Sequence, residues 1–239
     1  MATQARTAWL NNIPYTFDKA TGEWLWRPSP VTFEDEFLGN TLDLVYRWEN
    51  VDTLNNTPPA LVDDASNGVA QITLNVDNDT EKGVLYMNDN LQFALDKGVI
   101  WQARVNFPVL PTSTTEMVLG LASAEAAFDS ITTSCWFKLA GSGVVVVETD
   151  DTATNNDDKA TGVTLLNTDW AILRIDATTL ADVKFYVNGV RVASSTTFDM
   201  SSATGAAGKV QPYFGAFQSD ASVGTLYIDS VRIWQDARA

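Results

Sequence analysis

The chain has 239 residues, of which 45% are hydrophobic, and its formal net charge is −15 at pH 7. A chain of this length buries roughly three quarters of its extended surface in one core, and no apolar run is long enough for a transmembrane helix. The acidic balance argues against nucleic acid or an anionic membrane as a partner, because binding to either needs clustered Lys and Arg.

The first thirty residues are rich in aromatic side chains but lack sustained strand periodicity. The aromatic residues that we take as candidate partner-binding residues are Trp9, Tyr15, Phe17, Trp24 and Trp26. The segment ends in RPSP, where two prolines interrupt any strand ladder. Two interpretations stay open: YTFDKATGEWLW forms an edge hairpin on its own domain, or the segment is an arm that docks on another subunit. We therefore divide the chain into an N-terminal arm, 1–30, and one domain, 31–239.

The N-terminus also lacks the features of a secretory leader. MATQARTAWLNNIPY has only Arg6 as a cation and no apolar stretch behind it. The chain has one cysteine, Cys135, so no disulfide forms within the chain, and the alternation with Phe137 and Leu139 predicts a buried strand position. These features predict synthesis without a signal peptide and folding in a reducing cytoplasm.

Most of the remaining sequence shows the period-2 alternation of half-buried strands, as in 72–76, 91–95, 99–107, 117–121 and 171–175. The apolar run 144–147 is typical of a strand covered on both faces. The turn clusters VDNDTEKG, MNDN, LDKG, TDDTATNNDD and SSATGAAG separate these segments, and only SAEAAFDS suggests a short helix. We predict an all-β protein with about a dozen strands in two antiparallel sheets, a jelly-roll sandwich.

The strongest local signal is the segment 182–192, DVKFYVNGVRV. Apolar and polar residues alternate up to Val187, and Asn188-Gly189 supplies the two positive-φ positions of a type I′ hairpin turn. The pairing predicts that Val190 and Val192 return to the face of Val187.

Four segments resemble the concanavalin A-like jelly rolls, a superfamily of laminarinase- and lichenase-like and laminin-G-like sandwiches. The similar segments are FEDEFLGNTLDLVYRW, GVIWQARVNFP, DWAILRIDATTLADVKFYVNGVRV and LYIDSVRIW. Their order and spacing match the superfamily over residues 31–235, which implies this fold. Function stays open, because the same scaffold carries lectins, laminin-G-type modules and viral structural proteins.

The glucanases that the chain resembles depend on a strand reading Glu-x-Asp-x-(x)-Glu, whose alternate residues line one sugar cleft. Their order would place that strand in MVLGLASAEAAFDSITTSCWFKL, which contains no such triplet. Glu148 and Asp150 match only its first two members, and we expect them at a solvated strand end rather than as a catalytic pair. For Glu34 and Glu36 the resemblance implies a structural role. With no histidine for Ser-His or Cys-His chemistry, we expect no enzymatic activity.

One residue is a candidate metal ligand. In the closing segment the alternation slips, so either a bulge intervenes or Asp229 points inward and needs a partner. The resemblance implies that Asp229 helps to bind a structural calcium ion, which prefers oxygen ligands. The alternative is a carboxylate that accepts backbone N–H bonds, and we expect no other cofactor.

The glucanase-like scaffold without the acidic triplet or a leader predicts a structural protein of a tailed-phage virion, made in the host cytoplasm. We expect a capsid decoration or fibre protein whose arm docks on the major capsid protein or another virion subunit. A homo-oligomer is an open alternative, since nothing in the residues counts subunits.

The rival prediction is a carbohydrate-binding module for cell-surface glycans of the host. Sugar sites pair aromatic side chains with amide and carboxylate groups on one face. The candidate residues are Trp136, Trp170, Tyr186 and Tyr213, each of which alternatively belongs to the core. A third interpretation, an atypical glycoside hydrolase, needs two relocated carboxyl groups that face each other across a groove.

Overall fold

Short alternating segments give β-structure through most of the chain. The computed structural model describes residues 31–53, 57–65, 67–75, 80–112, 114–220 and 222–236, together with the backbone of three N-terminal strands. The strands are β1 (Ala5–Leu10), β2 (Ile13–Asp18), β3 (Trp24–Leu25), β4 (Val31–Asp35), β5 (Glu49–Thr53), β6 (Thr57–Leu61), β7 (Ala70–Leu74), β8 (Glu81–Tyr86), β9 (Phe93–Ala94), β10 (Val99–Val109), β11 (Thr115–Ala122), β12 (Ser134–Ala140), β13 (Val144–Asp150), β14 (Asn155–Thr164), β15 (Ala171–Ala177), β16 (Lys184–Val187), β17 (Val190–Val192), β18 (Lys209–Gln218) and β19 (Gly224–Gln235). Three short 3-10 helices span Leu95–Lys97, Phe128–Ser130 and Leu180–Asp182. Among the described residues, no helix has the length and apolar character needed to cross a membrane.

Two eight-stranded sheets form a sandwich, as predicted. Sheet I has the order β17-β16-β15-β10-β19-β7-β6, and β4 also pairs with β19. Sheet II has the order β14-β13-β12-β11-β18-β8-β5, and β9 also pairs with β18. The inner faces of the two sheets bury large side chains such as Trp101, Phe137, Phe185 and Phe214. The two packed antiparallel sheets confirm the predicted all-β jelly-roll class.

The single cysteine belongs to this core. Cys135 lies on the inner face of β12 with no exposed surface. Burial raises the pKa of its thiol to about 12. The predicted role as a small buried hydrophobic residue is confirmed.

The predicted hairpin at 182–192 is present at the edge of sheet I. Asn188 and Gly189 have φ values of 49° and 79°, as a type I′ turn requires. Val192 pairs with Phe185 and is buried, whereas Val190 is 67% exposed. The inward position predicted for Val190 is therefore wrong, because this residue directly follows the turn on the edge strand.

The N-terminal strands β1, β2 and β3 form a three-stranded sheet of their own. Phe17 of β2 pairs with Trp24 of β3. Trp26 and the side chains of the other aromatic residues of the arm lie outside the described part of the chain. Their role in partner binding stays a prediction.

A bulge explains the slipped alternation in the closing strand. Arg104 of β10 pairs with Ser230, and the next residue, Val105, pairs with Ile228, so Asp229 is the extra residue of β19. The bulge keeps apolar side chains inward on both sides of it, namely Leu226, Ile228, Val231 and Ile233. Of the two predicted alternatives, the structure has the bulge.

Two predictions about β13 and β14 are wrong. TATNNDD was expected to be a loop, but β14 begins at Asn155 within it. The run 144–147 was expected to be covered on both faces, yet Val144 is 45% exposed while Val145 and Val147 are buried. The reason is that the outer face of sheet II is open near this edge, so only the inward valines are covered.

Candidate functional site

The outer face of sheet II carries a row of aromatic side chains that the strand register sets side by side. Gly120 of β11 pairs with Trp136 of β12 on one side and with Tyr213 of β18 on the other. Tyr213 pairs in turn with Tyr86 of β8. Because Gly120 has no side chain, the rings of Trp136 and Tyr213 approach each other across it, with centroids 6.3 Å apart.

Residues 123–133, the plug loop, cover this row. Phe128 lies edge-on to Trp136 and Tyr213, with ring centroids 6.2 Å and 6.1 Å away. Gly215 makes room for it, since a Cβ there would lie 2.8 Å from the Phe128 ring. Trp136 is 3% exposed and Tyr213 is fully buried. The structure therefore places both of these candidate sugar-binding residues in a buried cluster.

Polar contacts fasten the plug loop to the sheet. The Lys82 ammonium forms an ion pair with Glu125 and also donates to the Ala126 carbonyl. The Glu125 N–H donates to the Asp89 carboxylate over 2.9 Å. SAEAAFDS was expected to hint at a short helix, and its end does form the 3-10 helix Phe128–Ser130.

Strand β12 lies in the stretch where the resemblance expects the acidic triplet. Its outer face presents Ser134, Trp136 and Lys138, and no carboxylate. Lys138 lies on this outer face beside Trp136 and is buried, and it was not among the predicted site residues. A lysine alternating with Trp136 on one strand was the available signal.

The Lys138 ammonium contacts carboxylates from three other strands of sheet II, β11, β13 and β14. Its Nζ lies 3.0 Å from Glu148, 3.3 Å from Glu116 and 3.2 Å from Asp158. The second oxygen of Glu148 accepts a hydrogen bond of 2.8 Å from the Trp136 indole N–H. Glu148 is 8% exposed, so the solvated strand end expected for it is wrong.

The cluster shifts the pKa values of its members in opposite directions. Burial raises the pKa of Glu148, although hydrogen bonds from Trp136 and Lys138 oppose this shift. Burial opposes ionisation of Lys138 as well, but its hydrogen bond and charge interaction with Glu148 raise the pKa of Lys138 overall. For Asp158, burial is outweighed by Glu148 and Lys138, which lower its pKa. One ammonium thus pairs with three carboxylates, of which the buried Glu148 has a raised pKa and the more exposed Asp158 a lowered one.

A cavity of about 360 Å³ lies beside this cluster. Both members of the weighed catalytic pair, Glu148 and Asp150, line it, together with Asp129 and Asp157. The Asp150 carboxylate accepts a hydrogen bond from the Thr152 N–H and so closes its own turn. The geometry makes this an acidic pocket with an aromatic wall, in which Glu148 is already engaged by partners.

The outer face of sheet I holds the other two candidate sugar-binding residues. Trp170 and Tyr186 are half-buried there. The Arg104 guanidinium stacks on Trp170 at 4.4 Å, and that of Arg174 lies 5.5 Å from Tyr186 and 5.9 Å from Trp234. Trp234 and both arginines were not predicted as site residues, because their strands are distant along the chain. Aromatic rings interleaved with guanidinium groups form a face suited to stacking on flat, polar ligands.

Each of these arginines also has a carboxylate partner. Arg104 lies 3.0 Å from Asp229, and Arg174 lies 3.1 Å from Asp176. Asp229 thus faces a cation rather than the backbone N–H groups that were the predicted alternative. No cluster of three metal-binding side chains occurs within the described ranges, and calcium binding by Asp229 stays a prediction.

No family model matches the sequence, and no curated protein sequence matches it. Solved structures do match. A protein of unknown function from Shewanella oneidensis MR-1, SO2946, is 13% identical, with 88% of this chain and 89% of that chain covered and a TM-score of 0.61. A beta-1,3-glucanase from Mycobacterium marinum is 14% identical, with 84% of this chain and 97% of that chain covered and a TM-score of 0.58.

The carbohydrate recognition domain of Emp46p is similar as well. It is 10% identical, with 86% of this chain and 96% of that chain covered and a TM-score of 0.55. At such low identity the likeness concerns the fold alone. The chain shares a two-sheet jelly-roll fold with this beta-1,3-glucanase and this carbohydrate recognition domain.

Proposed function

We propose that the protein is a non-catalytic structural protein of a tailed-phage virion, with its N-terminal arm docked on another virion subunit. The observation that carries the non-catalytic part is the outer face of β12. Lys138 holds Glu116, Glu148 and Asp158 in ion pairs there. Phe128 fills the face beside it, so the three carboxylates next to the aromatic row are already paired with a cation and the row itself is covered.

The arm supports the structural part of the proposal. Its strands form a separate sheet, and its sequence concentrates aromatic residues in thirty positions. Aromatic side chains supply much of the binding energy at protein interfaces. The proposed virion role rests in addition on the sequence resemblance to a scaffold that viral structural proteins also use.

Sedimentation of a lysate of the producing cells through a density gradient tests this proposal. We expect the protein, followed by mass spectrometry, to migrate with DNA-filled particles. Recovery only at the top of the gradient, as a free 26.1 kDa chain, would contradict a stable virion component.

Deletion of residues 1–30 tests the arm. The buried core residues that the structure describes all lie between Phe37 and Ile233, so we expect the shortened chain to keep its circular dichroism spectrum and its cooperative unfolding. It should no longer migrate with particles. Particles that still carry the shortened chain would show that the arm is not the anchor.

A second candidate function is carbohydrate binding, favoured by the half-exposed Trp170 and Tyr186 on sheet I. The similar structures include a beta-1,3-glucanase and a carbohydrate recognition domain. If this face binds glycans, Trp170→Ala and Tyr186→Ala should each weaken binding on a glycan array by about tenfold. Val144→Ala is the control, because Val144 is an apolar residue 45% exposed on sheet II. An array without any signal for the wild-type protein would remove this candidate.

An atypical glycoside hydrolase is the third candidate and has a direct assay. Incubation with laminarin and with mixed-linkage glucan should release no reducing ends. Release that Glu148→Gln abolishes would overturn the non-catalytic proposal and identify the pocket beside Lys138 as the active site.

A further inference from the structure

Residues 38–46, the apolar loop, expose large hydrophobic side chains next to the first strand of the sandwich. Leu38 is 68% exposed, Val45 79% and Tyr46 90%. Single exposed apolar residues are normal, but a concentration of them marks an interaction site. No described part of the same chain covers these three side chains.

Hydrogen bonds fix the tip of the apolar loop in place. The Asp43 carboxylate accepts from the N–H groups of Val45 and Tyr46, over 3.3 Å and 3.0 Å. The Arg47 guanidinium lies 3.5 Å from Asp35 and 3.8 Å from Asp43, which ties the turn to β4. A preformed projection of this kind binds without a large ordering cost.

A groove of about 700 Å³ lies at the base of the apolar loop. Its apolar lining includes Phe37, Leu42 and Leu61. Its acidic lining consists of Glu34, Asp35, Glu36 and Asp43. Arg47 pairs with two of these acids and Arg232 with the other two, so four carboxylates face two cations and the groove stays net negative. A segment that fits this groove therefore combines apolar side chains with positive charge.

The N-terminal arm has that composition. Its five aromatic residues stand among Arg6, Lys19 and Arg27, against the acids Asp18 and Glu23. The arm is thus net positive in a chain with a net charge of −15. All of the net negative charge lies outside the arm, so the arm is the part of one copy that another copy attracts.

We propose that the arm of one copy docks in the acidic groove and against the apolar loop of a second copy. The proposal rests on the proposed function in taking the arm as a docking segment, and it specifies the partner as another copy of the same chain. If each arm docks in the groove of the other copy, the pair closes as a two-fold dimer. If the docking is not reciprocal, the same contact closes into a larger ring or continues as a filament.

The test is the mass of the full-length protein in solution, measured by size-exclusion chromatography with light scattering over a concentration series. We expect the wild type to exceed the 26.1 kDa of one chain. Val45→Ser combined with Tyr46→Ser should weaken self-association about tenfold or more. Trp9→Ser combined with Trp24→Ser in the arm should do the same.

Val190→Ser is the matched control, because Val190 is 67% exposed on the opposite edge of sheet I and should leave the mass unchanged. Circular dichroism verifies that every variant is folded. A wild type that stays at the mass of one chain at all concentrations would overturn the inference, as would an oligomer that the loop and arm variants leave intact. A chain that is monomeric alone but migrates with phage particles would overturn this inference and retain the proposed function.

Discussion

Gly215 determines what can cover the outer face of sheet II. A Cβ at this position would lie 2.8 Å from the Phe128 ring, and the ring packs against Trp136 and Tyr213. We expect Gly215→Ala to lower the free energy of unfolding by about 1–3 kcal/mol, as overpacking does. Urea denaturation measures this change.

The control is a double-mutant cycle with Phe128→Ala. Most of the cost of Gly215→Ala should disappear when Phe128 is already alanine, because the clashing ring is gone. A cost that is equal in both backgrounds would mean that Gly215 does not serve to accommodate the plug loop.

Lys138 makes the stability of the same face depend on pH. Lys138→Met leaves Glu148 buried without its cation. We expect this to lower the free energy of unfolding by about 3–5 kcal/mol at neutral pH. Burial already raises the pKa of Glu148, and the loss of the ammonium raises it further. A raised pKa in the folded state gives stability that is present at low pH and lost as the pH rises through it.

The destabilisation by Lys138→Met should therefore shrink as the pH falls through the raised pKa of Glu148 and be smallest below the ordinary pKa of a glutamate. Urea denaturation at several pH values measures it, and Lys138→Met combined with Glu148→Gln is the control that removes the pH dependence. If Lys138→Met lowers the free energy of unfolding by the same amount at every pH, Lys138 stabilises the fold through packing and not through its charge.

At the scale of elements, Asp35 joins β4 to the chain that follows it. Its carboxylate accepts hydrogen bonds of 2.8 Å from the Phe37 N–H and from the Trp48 indole. Trp48 is buried against Phe33 and Phe214. Asp35→Ala leaves both donors without an acceptor and should lower the free energy of unfolding by about 1–3 kcal/mol.

Glu36→Ala is the control for Asp35→Ala in urea denaturation. Glu36 forms an exposed ion pair with Arg232, and such pairs contribute about 0–1 kcal/mol. Equal losses for both variants would mean that the two hydrogen bonds of Asp35 are not what holds this connection.

How far the sequence predicts an element depends on how local its determinants are. The hairpin around Asn188-Gly189 could be predicted, because its turn residues and alternation lie within eleven positions. The cluster around Lys138 could not, because it joins residues from Glu116 to Asp158 on four strands whose order the sequence does not reveal. The bulge at Asp229 was one of two alternatives, since a slipped alternation does not distinguish a bulge from an inward carboxylate.

At the scale of the whole molecule, charge is unevenly distributed. The five arginines whose side chains the structure describes all lie on or beside sheet I: Arg47, Arg104, Arg174, Arg191 and Arg232. Each has a carboxylate partner, but the 30 acidic residues of the chain outnumber its 15 basic residues, which gives the net charge of −15. Self-repulsion among those acids opposes the compact state.

Salt should therefore stabilise the protein. We expect the thermal midpoint to rise by about 2–4 °C between about 10 mM and 150 mM NaCl, as the Debye length falls from about 30 Å to 8 Å. Differential scanning calorimetry measures the shift, and sucrose at matched osmolality is the control for nonspecific solute effects. A midpoint that falls with salt would mean that the ion pairs outweigh the repulsion.

The buried thiol of Cys135 makes the chain convenient for site-specific labelling. It is the only cysteine, it is inaccessible, and its pKa of about 12 leaves almost no thiolate at neutral pH. A maleimide dye should therefore ignore the folded wild-type protein. Tyr46→Cys or Trp170→Cys would then provide a single reactive position, so fluorescence could report separately on contacts at the apolar loop and on the outer face of sheet I.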